Sequence, residues 1–196
     1  MPRPETELLV EAAEKMIAKK PGQRLRILDI GTGSGNIIVS LAKRNPGHIF
    51  YAIDVSSNAL KVATTNAATH NVLNHITFLH GDILRGLDFL AKEKEFDIII
   101  SNPPYIKTND IETLSCEVQQ EPRIALDGGA DGLCFYREIA RVCAYLLSAD
   151  GVLCLEIGQG QEAQITEILL KVGSLRVQEC FKDYLDIQGI IIVKRK

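Results

Sequence analysis

The sequence lacks any run of roughly 18 consecutive apolar residues, the length a membrane-spanning helix requires, so no membrane partner is expected. No secretory leader is expected either, since the opening MPRPETELLV sets Glu5 and Glu7 where a signal peptide has its apolar core. The expected location is cytoplasmic. Cysteine is sparse, with five residues at 116, 134, 143, 154 and 180. An odd number, no CxxC pair and no ligand-like spacing with the four histidines argue against a disulfide framework or a zinc site, so reduced thiols and no metal are expected. Positive charge is not in excess, since 22 Lys and Arg face 25 Asp and Glu for a net charge of -3. Stable binding to nucleic-acid phosphates usually needs a basic footprint, and none is expected here.

No internal repeat and no linker divides the chain. At 196 residues, 46% hydrophobic and 24% charged, its composition is that of one ordinary folded domain. Strand and helix signals alternate along it. Leu25 to Ile30 is a short apolar run that stops at Gly31-Thr32-Gly33-Ser34-Gly35, and Asn36 to Lys43 has helical spacing through Ile37, Ile38 and Leu41. His48 to Asp54 predicts a second strand, Ser56 an N-cap for a helix to about His70, and Ile76 to His80 a third strand. Glu95 to Ser101, centred on three isoleucines, fits a strand buried on both faces. Further on, Leu133 to Leu147 predicts a helix, Val152 to Ile157 a strand and Glu162 to Leu170 a helix. Leu175 to Phe181 and Gly189 to Lys194 predict two closing strands without a helix between them, hence an antiparallel hairpin. Ahead of the sheet, Thr6 is expected to cap a helix whose apolar side carries Leu9, Ala13, Met16 and Ile17. The expected class is α/β, a mostly parallel sheet of seven strands with helices on both faces.

In such sheets ligands bind beyond the carboxyl ends of the strands. Three polar motifs stand there. Gly31, Gly33 and Gly35 permit a tight turn and a close backbone approach, and Asp54, at the end of the second strand, is placed to accept ribose hydroxyls. The alternative is a glycine turn without a ligand. Dinucleotide enzymes place a third small residue where Asn36 stands, which weakens an NAD reading. Gly81-Asp82-Ile83 follows the third strand, where an Asp standing alone would more often be a turn or helix cap.

Asn102-Pro103-Pro104-Tyr105 is the most specific motif. A rigid turn is its plain structural meaning, since the two prolines fix φ and remove two N–H groups. Its chemistry suits a planar NH2 group, whose delocalised lone pair makes a poor nucleophile. The Asn102 side-chain oxygen and the Pro103 carbonyl can accept the two N–H bonds, and the Tyr105 ring can stack on the plane. No general base is evident.

The glycine segment resembles motif I of the S-adenosylmethionine-dependent methyltransferases, and Asn102 to Tyr105 resembles the Asn/Asp-Pro-Pro-Tyr/Phe motif of those that modify NH2 groups. On that motif alone, glutamine amides and the amino groups of adenine, cytosine and guanine all remain acceptors. Two more segments, Pro2 to Glu7 and Glu121 to Leu133, make the whole chain similar to the release-factor glutamine methyltransferase family. The resemblance implies a Rossmann-like class I methyltransferase fold and the cofactor S-adenosyl-L-methionine. The implied reaction is methylation of the glutamine side-chain amide in the Gly-Gly-Gln motif of class I peptide-chain release factors, the implied protein partners.

Carried over, Gly31, Thr32, Gly33, Ser34, Gly35, Asp54, Asp82, Ile83 and Asn102 would line the cofactor site. Asn102, Pro103, Pro104 and Tyr105 would hold the glutamine, with Asn102, Pro103 and Tyr105 acting in catalysis. Ile83 stands where the family often has an aromatic residue beside the adenine. Glu121, Arg123, Gly128, Gly129 and Gly132 would shape the substrate wall. Residues 1–196 are then expected to be a single catalytic domain without the family's N-terminal helical recognition domain, which makes docking of the protein substrate the open part. The rivals are a DNA or RNA amino-methyltransferase with the same chemistry and a non-catalytic nucleotide-binding scaffold.

Overall fold

The computed structural model describes residues 4–91, 95–182 and 188–196; Pro2 and Arg3 of the opening segment lie outside them. Seven strands form one sheet: β1 (Arg26–Ile30), β2 (Ile49–Asp54), β3 (Ile76–His80), β4 (Phe96–Ser101), β5 (Leu147–Glu156), β6 (Leu175–Lys182) and β7 (Gln188–Arg195). Their spatial order is β3-β2-β1-β4-β5-β7-β6. β1 to β5 run parallel, while β7 is antiparallel to both β5 and β6. The closing hairpin is therefore as expected, with the last strand inserted between β5 and its own partner.

The helices are α1 (Pro4–Ala18), α2 (Asn36–Arg44), α3 (Ser57–Thr69), α4 (Asp88–Ala91), α5 (Cys116–Gln119), α6 (Cys134–Leu146) and α7 (Glu162–Lys171). Because side chains alternate along a strand, the sheet sorts its own residues into two cores. Leu28, Ile30, Ile99, Leu153 and Leu155 face one way and pack with α6 residues such as Tyr136 and Ile139. Ile27, Ile98, Ile100, Val152 and Cys154 face the other way, with Leu9, Ala13 and Met16 of α1 and Ile38 and Leu41 of α2. Burial of each of the three central isoleucines of β4 contributes about 2 kcal/mol. On α6, buried Tyr136, Ile139, Ala140, Cys143 and Leu146 recur at the three- and four-residue spacing of one helical face.

Ser56 caps α3 as expected, its hydroxyl accepting the Ala59 N–H at 3.2 Å. Thr6 does not cap α1. That helix begins at Pro4, which tolerates a first-turn position because its missing N–H would have lacked a helical partner anyway. β5 starts five residues before its expected Val152: Leu147 pairs with Phe96, the register then shifts across the polar Ser148–Gly151 stretch, and pairing resumes between Val152 and Ile98. The order reverses between β1 and β4, whose successors along the chain lie on opposite sides of the sheet. Ligand sites in such sheets open at that crevice.

Candidate active site

Ile30 and Ser101 are register partners at the carboxyl ends of β1 and β4. The glycine loop leaves one strand and the Asn102 turn leaves the other, so the two motifs start side by side. The Ser101 hydroxyl donates to the Ile30 carbonyl at 2.8 Å. From β2, the Ile53 carbonyl accepts the N–H groups of Gly31 at 2.9 Å and Thr32 at 3.1 Å. Asp54 shapes the loop further, with Oδ2 accepting the Gly33 N–H and Oδ1 the Ser56 N–H, both at 2.8 Å. Gly31 and Gly33 have φ of 74° and 56°, a left-handed backbone that an L side chain adopts only at a cost. A Cβ at either would meet nothing within 4 Å, so these two glycines face open space. Gly35 serves packing instead: its Cβ would stand 3.0 Å from that of Ala63 in α3.

Beneath the loop, Asp29 is buried, and its Oδ2 accepts the Thr32 hydroxyl at 2.7 Å. Its Oδ1 has no hydrogen-bond partner among the described residues. Burial pushes the carboxyl up to about 7 against the opposing Thr32 bond, and the nearby Asp54 charge adds to the rise.

These ends open into a cavity of about 440 Å³. Of the expected residues, Gly31, Gly33, Ser34, Asp54, Asp82, Ile83, Asn102, Pro103 and Pro104 line it, and so do Glu121, Pro122, Ile124 and Ala125 of the expected substrate wall. Thr32 lies below the loop with Asp29, and Gly35 lies at the start of α2. Arg123 turns away from the lining to pair with Asp127 at 3.4 Å. Asp82 also caps the short turn that follows it, accepting the Leu84 N–H at 2.9 Å. Val55, Val62 and Ile124, respectively 40%, 49% and 55% exposed, all line the cavity and leave apolar surface for a ligand to cover. The lining carries three carboxylates, Asp54, Asp82 and Glu121, of which Asp82 also pairs with Arg85 at 3.4 Å.

Tyr105 stands behind the turn instead of on the cavity wall. It packs at the edge of the core, and the chain around it pairs with the glycine-rich segment through Ile106 N–H to Leu126 O at 3.0 Å and Gly128 N–H to Ile106 O at 2.7 Å. A Cβ at Gly128 would stand 2.8 Å from the Tyr105 Cα and one at Gly132 2.5 Å from the Tyr105 carbonyl oxygen, so these two of the expected wall glycines form a cradle for the turn. In this geometry the Tyr105 backbone anchors the turn, and its Cδ2 lies beside Gly158.

A methyltransferase small domain family matches residues 4–123. The release factor glutamine methyltransferase of Thermodesulfovibrio yellowstonii is 41% identical over 199 residues, covering 100% of this chain and 68% of that relative. The same-named protein of Rhodospirillum rubrum is 42% identical over 196 residues, covering 100% of this chain and 58% of the relative. That of Caulobacter vibrioides is 39% identical, covering 90% and 60%. The chain belongs to the release factor glutamine methyltransferase family. It spans about three fifths of the length of most of these family members, between 58% and 68%.

Solved structures more distant than the family share its fold. A ribosomal protein L11 methylase of Lactobacillus delbrueckii subsp. bulgaricus superimposes with a TM-score of 0.66 at 18% identity, over 100% of this chain and 81% of that one. A magnesium protoporphyrin IX methyltransferase of Synechocystis, solved with bound SAM, gives 0.65 at 17% identity, over 98% and 80%. The site also contains residues that sequence motifs did not single out: Val55, Ser56, Ala59 and Val62 after β2, and Phe135 and Ile139 on α6. For the first group the signal was adjacency to Asp54. Phe135 and Ile139 carried no local signal, since their place follows from how α6 packs.

Proposed function

We propose that the chain transfers a methyl group from S-adenosyl-L-methionine to the side-chain amide nitrogen of the Gly-Gly-Gln glutamine in class I peptide-chain release factors. The observation that carries this is the pairing of Ile30 with Ser101, which opens the glycine loop and the Asn102-Pro103-Pro104 turn onto one cavity. The cavity fits the cofactor chemically. Gly31 and Gly33 leave space for close backbone approach, Asp54 and Asp82 offer acceptors for ribose hydroxyls and an adenine amino group, and Ile53, Val55 and Ile83 offer apolar walls. With Asp54 and Asp82 on its lining, the cavity suits a cationic cofactor and opposes a pyrophosphate, which counts against the dinucleotide alternative. The same charges disfavour a nucleic-acid acceptor.

When bound, S-adenosylmethionine supplies an electrophilic methyl group on a positively charged sulfur. The chain supplies position. Asn102 accepts one N–H of the acceptor amide through its side-chain oxygen and Pro103 accepts the other through its carbonyl, so the nitrogen loses its freedom and gains electron density. Pro104 adds no donor that would compete. The apolar rim of Val62, Pro122 and Ile124 offers surface that a bound ligand would cover.

The test is incubation of the folded chain with labelled S-adenosylmethionine and a release factor, followed by peptide mass spectrometry. One methyl on the glutamine of the Gly-Gly-Gln peptide supports the proposal. Label on nucleic acid with none on this glutamine would replace it with the nucleic-acid reading, and cofactor binding without transfer to either would favour the scaffold.

A further inference from the structure

Gln161 immediately precedes α7, in a position where a polar side chain ordinarily caps the helix, yet it makes no capping bond. Its amide instead joins three loops. Nε2 donates to the Tyr105 carbonyl at 3.1 Å and to the Gly132 carbonyl at 3.4 Å, while Oε1 accepts the Gly158 N–H at 3.2 Å. The loops close tightly around it. A Cβ at Gly158 would stand 2.5 Å from Oε1 and 2.9 Å from Tyr105 Cδ2, and one at Gly132 would stand 2.9 Å from Nε2 and 2.5 Å from the Tyr105 oxygen. The Gly158 N–H also reaches the hydroxyl of buried Tyr136 at 3.3 Å, and that hydroxyl donates to the Glu156 carbonyl at 3.3 Å. The amide thus fastens the acceptor turn to β5 and α6 without itself lining the cavity.

We infer that Gln161 is a positioning residue for methyl transfer: its side-chain amide holds the Pro104-Tyr105 backbone where Asn102 and Pro103 meet the acceptor nitrogen. The inference rests on the methyl-transfer reading above. Its chemistry is specific to an amide, because the junction needs two N–H donors and one acceptor on a single side chain. Glutamate has the same size, but its ionised form sets an oxygen against two carbonyl oxygens. Because the cofactor loop belongs to β1 and β2, on the other side of the crevice, loss of the amide slows transfer and leaves cofactor binding in place.

The experiment compares the full chain with Gln161→Ala and Gln161→Glu in three measurements. Calorimetric titration reads the Kd for S-adenosylmethionine, single-turnover kinetics with a Gly-Gly-Gln peptide reads transfer, and hydrogen exchange by mass spectrometry reads residues 104–108 and 127–134. The expected result is an unchanged cofactor Kd, a fall in transfer rate on the order of a hundredfold for both variants at saturating peptide, and faster exchange confined to those two segments. Full activity in Gln161→Ala, or recovery in the size-matched Gln161→Glu, would overturn the inference, and so would a loss residing wholly in cofactor Kd. If the unaltered chain transfers no methyl to the peptide, the substrate reading fails, and exchange decides Gln161 by itself: unchanged protection at 104–108 in both variants overturns its role as the clamp.

Discussion

The hydroxyl of Ser101 donates to the carbonyl of Ile30 at 2.8 Å, one residue before the acceptor turn begins and one residue before the glycine loop begins. Both residues are buried, so the bond is shielded from competing water. It sets the separation of the two motifs directly, at the strand ends from which both depart. Chemistry that depends on an acceptor atom meeting a bound cofactor within a fraction of an ångström is well served by such a tie.

Ser101→Ala removes that donor and leaves a buried carbonyl with one partner fewer. The expected cost is about 1 to 2 kcal/mol of folding stability, read as a lower urea midpoint with an unchanged slope. Transfer should fall by more than cofactor affinity does, because the acceptor turn loses its tie to β1. An unchanged midpoint together with an unchanged rate would show that the ladder between β1 and β4 alone holds the two motifs.

Asn102→Ala tests the acceptor side directly. Among the described residues no hydrogen bond holds the Asn102 side chain, which lines the cavity and remains available to a ligand. The alanine variant should bind S-adenosylmethionine, keep its melting temperature, and lose turnover by on the order of a hundredfold or more. Normal single-turnover kinetics in this variant would remove Asn102 from the mechanism.

The strands and both loops of the site were legible because their signals are local. Three consecutive isoleucines ending at Ser101-Asn102-Pro103-Pro104 can hardly be anything but a buried strand meeting a rigid turn, and Asp54 marks its own strand end. Thr6 misled because a polar residue ahead of an apolar stripe resembles a cap, whereas Pro4 already opens the helix. Gln161 and Phe135 were out of reach for a different reason: Gln161 meets Tyr105 and Gly132 across long stretches of chain, and Phe135 reaches the cavity only through the packing of α6. The segment from Glu121 to Leu133 stands between these cases. Its glycines signal turns, but their work, making room for Tyr105, appears only when the turn is folded against them.

Asp29 gives the fold a pH dependence of unusual sign. Burial pushes its carboxyl up to about 7 in the fold, against the ordinary 3.8 of an exposed aspartate in the unfolded chain, so between those values the native state holds a proton that the unfolded state has released. Unfolding free energy therefore falls as pH rises through this window and levels off above about 7. Asp29→Asn removes the titration while keeping an oxygen for Thr32. The variant should gain stability relative to the unaltered chain, by on the order of a few kcal/mol, on going from about pH 4 to about pH 8 in urea unfolding. Parallel stability profiles for the two proteins would mean that Asp29 remains ionised in the fold.

Gly132→Ala separates backbone strain from steric displacement of the turn. Gly132 has φ of 75°, and a Cβ there would lie 2.5 Å from the Tyr105 carbonyl oxygen, which is backbone and has little room to move. Gly173, with φ of 81°, has nothing within 4 Å of an added Cβ and lies beyond α7, away from the cavity lining. Gly173→Ala should therefore cost about 1 to 2 kcal/mol for the left-handed backbone alone, with transfer unchanged. Gly132→Ala should cost more, because the collision adds to the same strain, and its transfer rate should fall even in the fraction that remains folded. Equal midpoints for the two variants, with full transfer in both, would show that the Tyr105 turn yields freely and that its position does not govern the reaction.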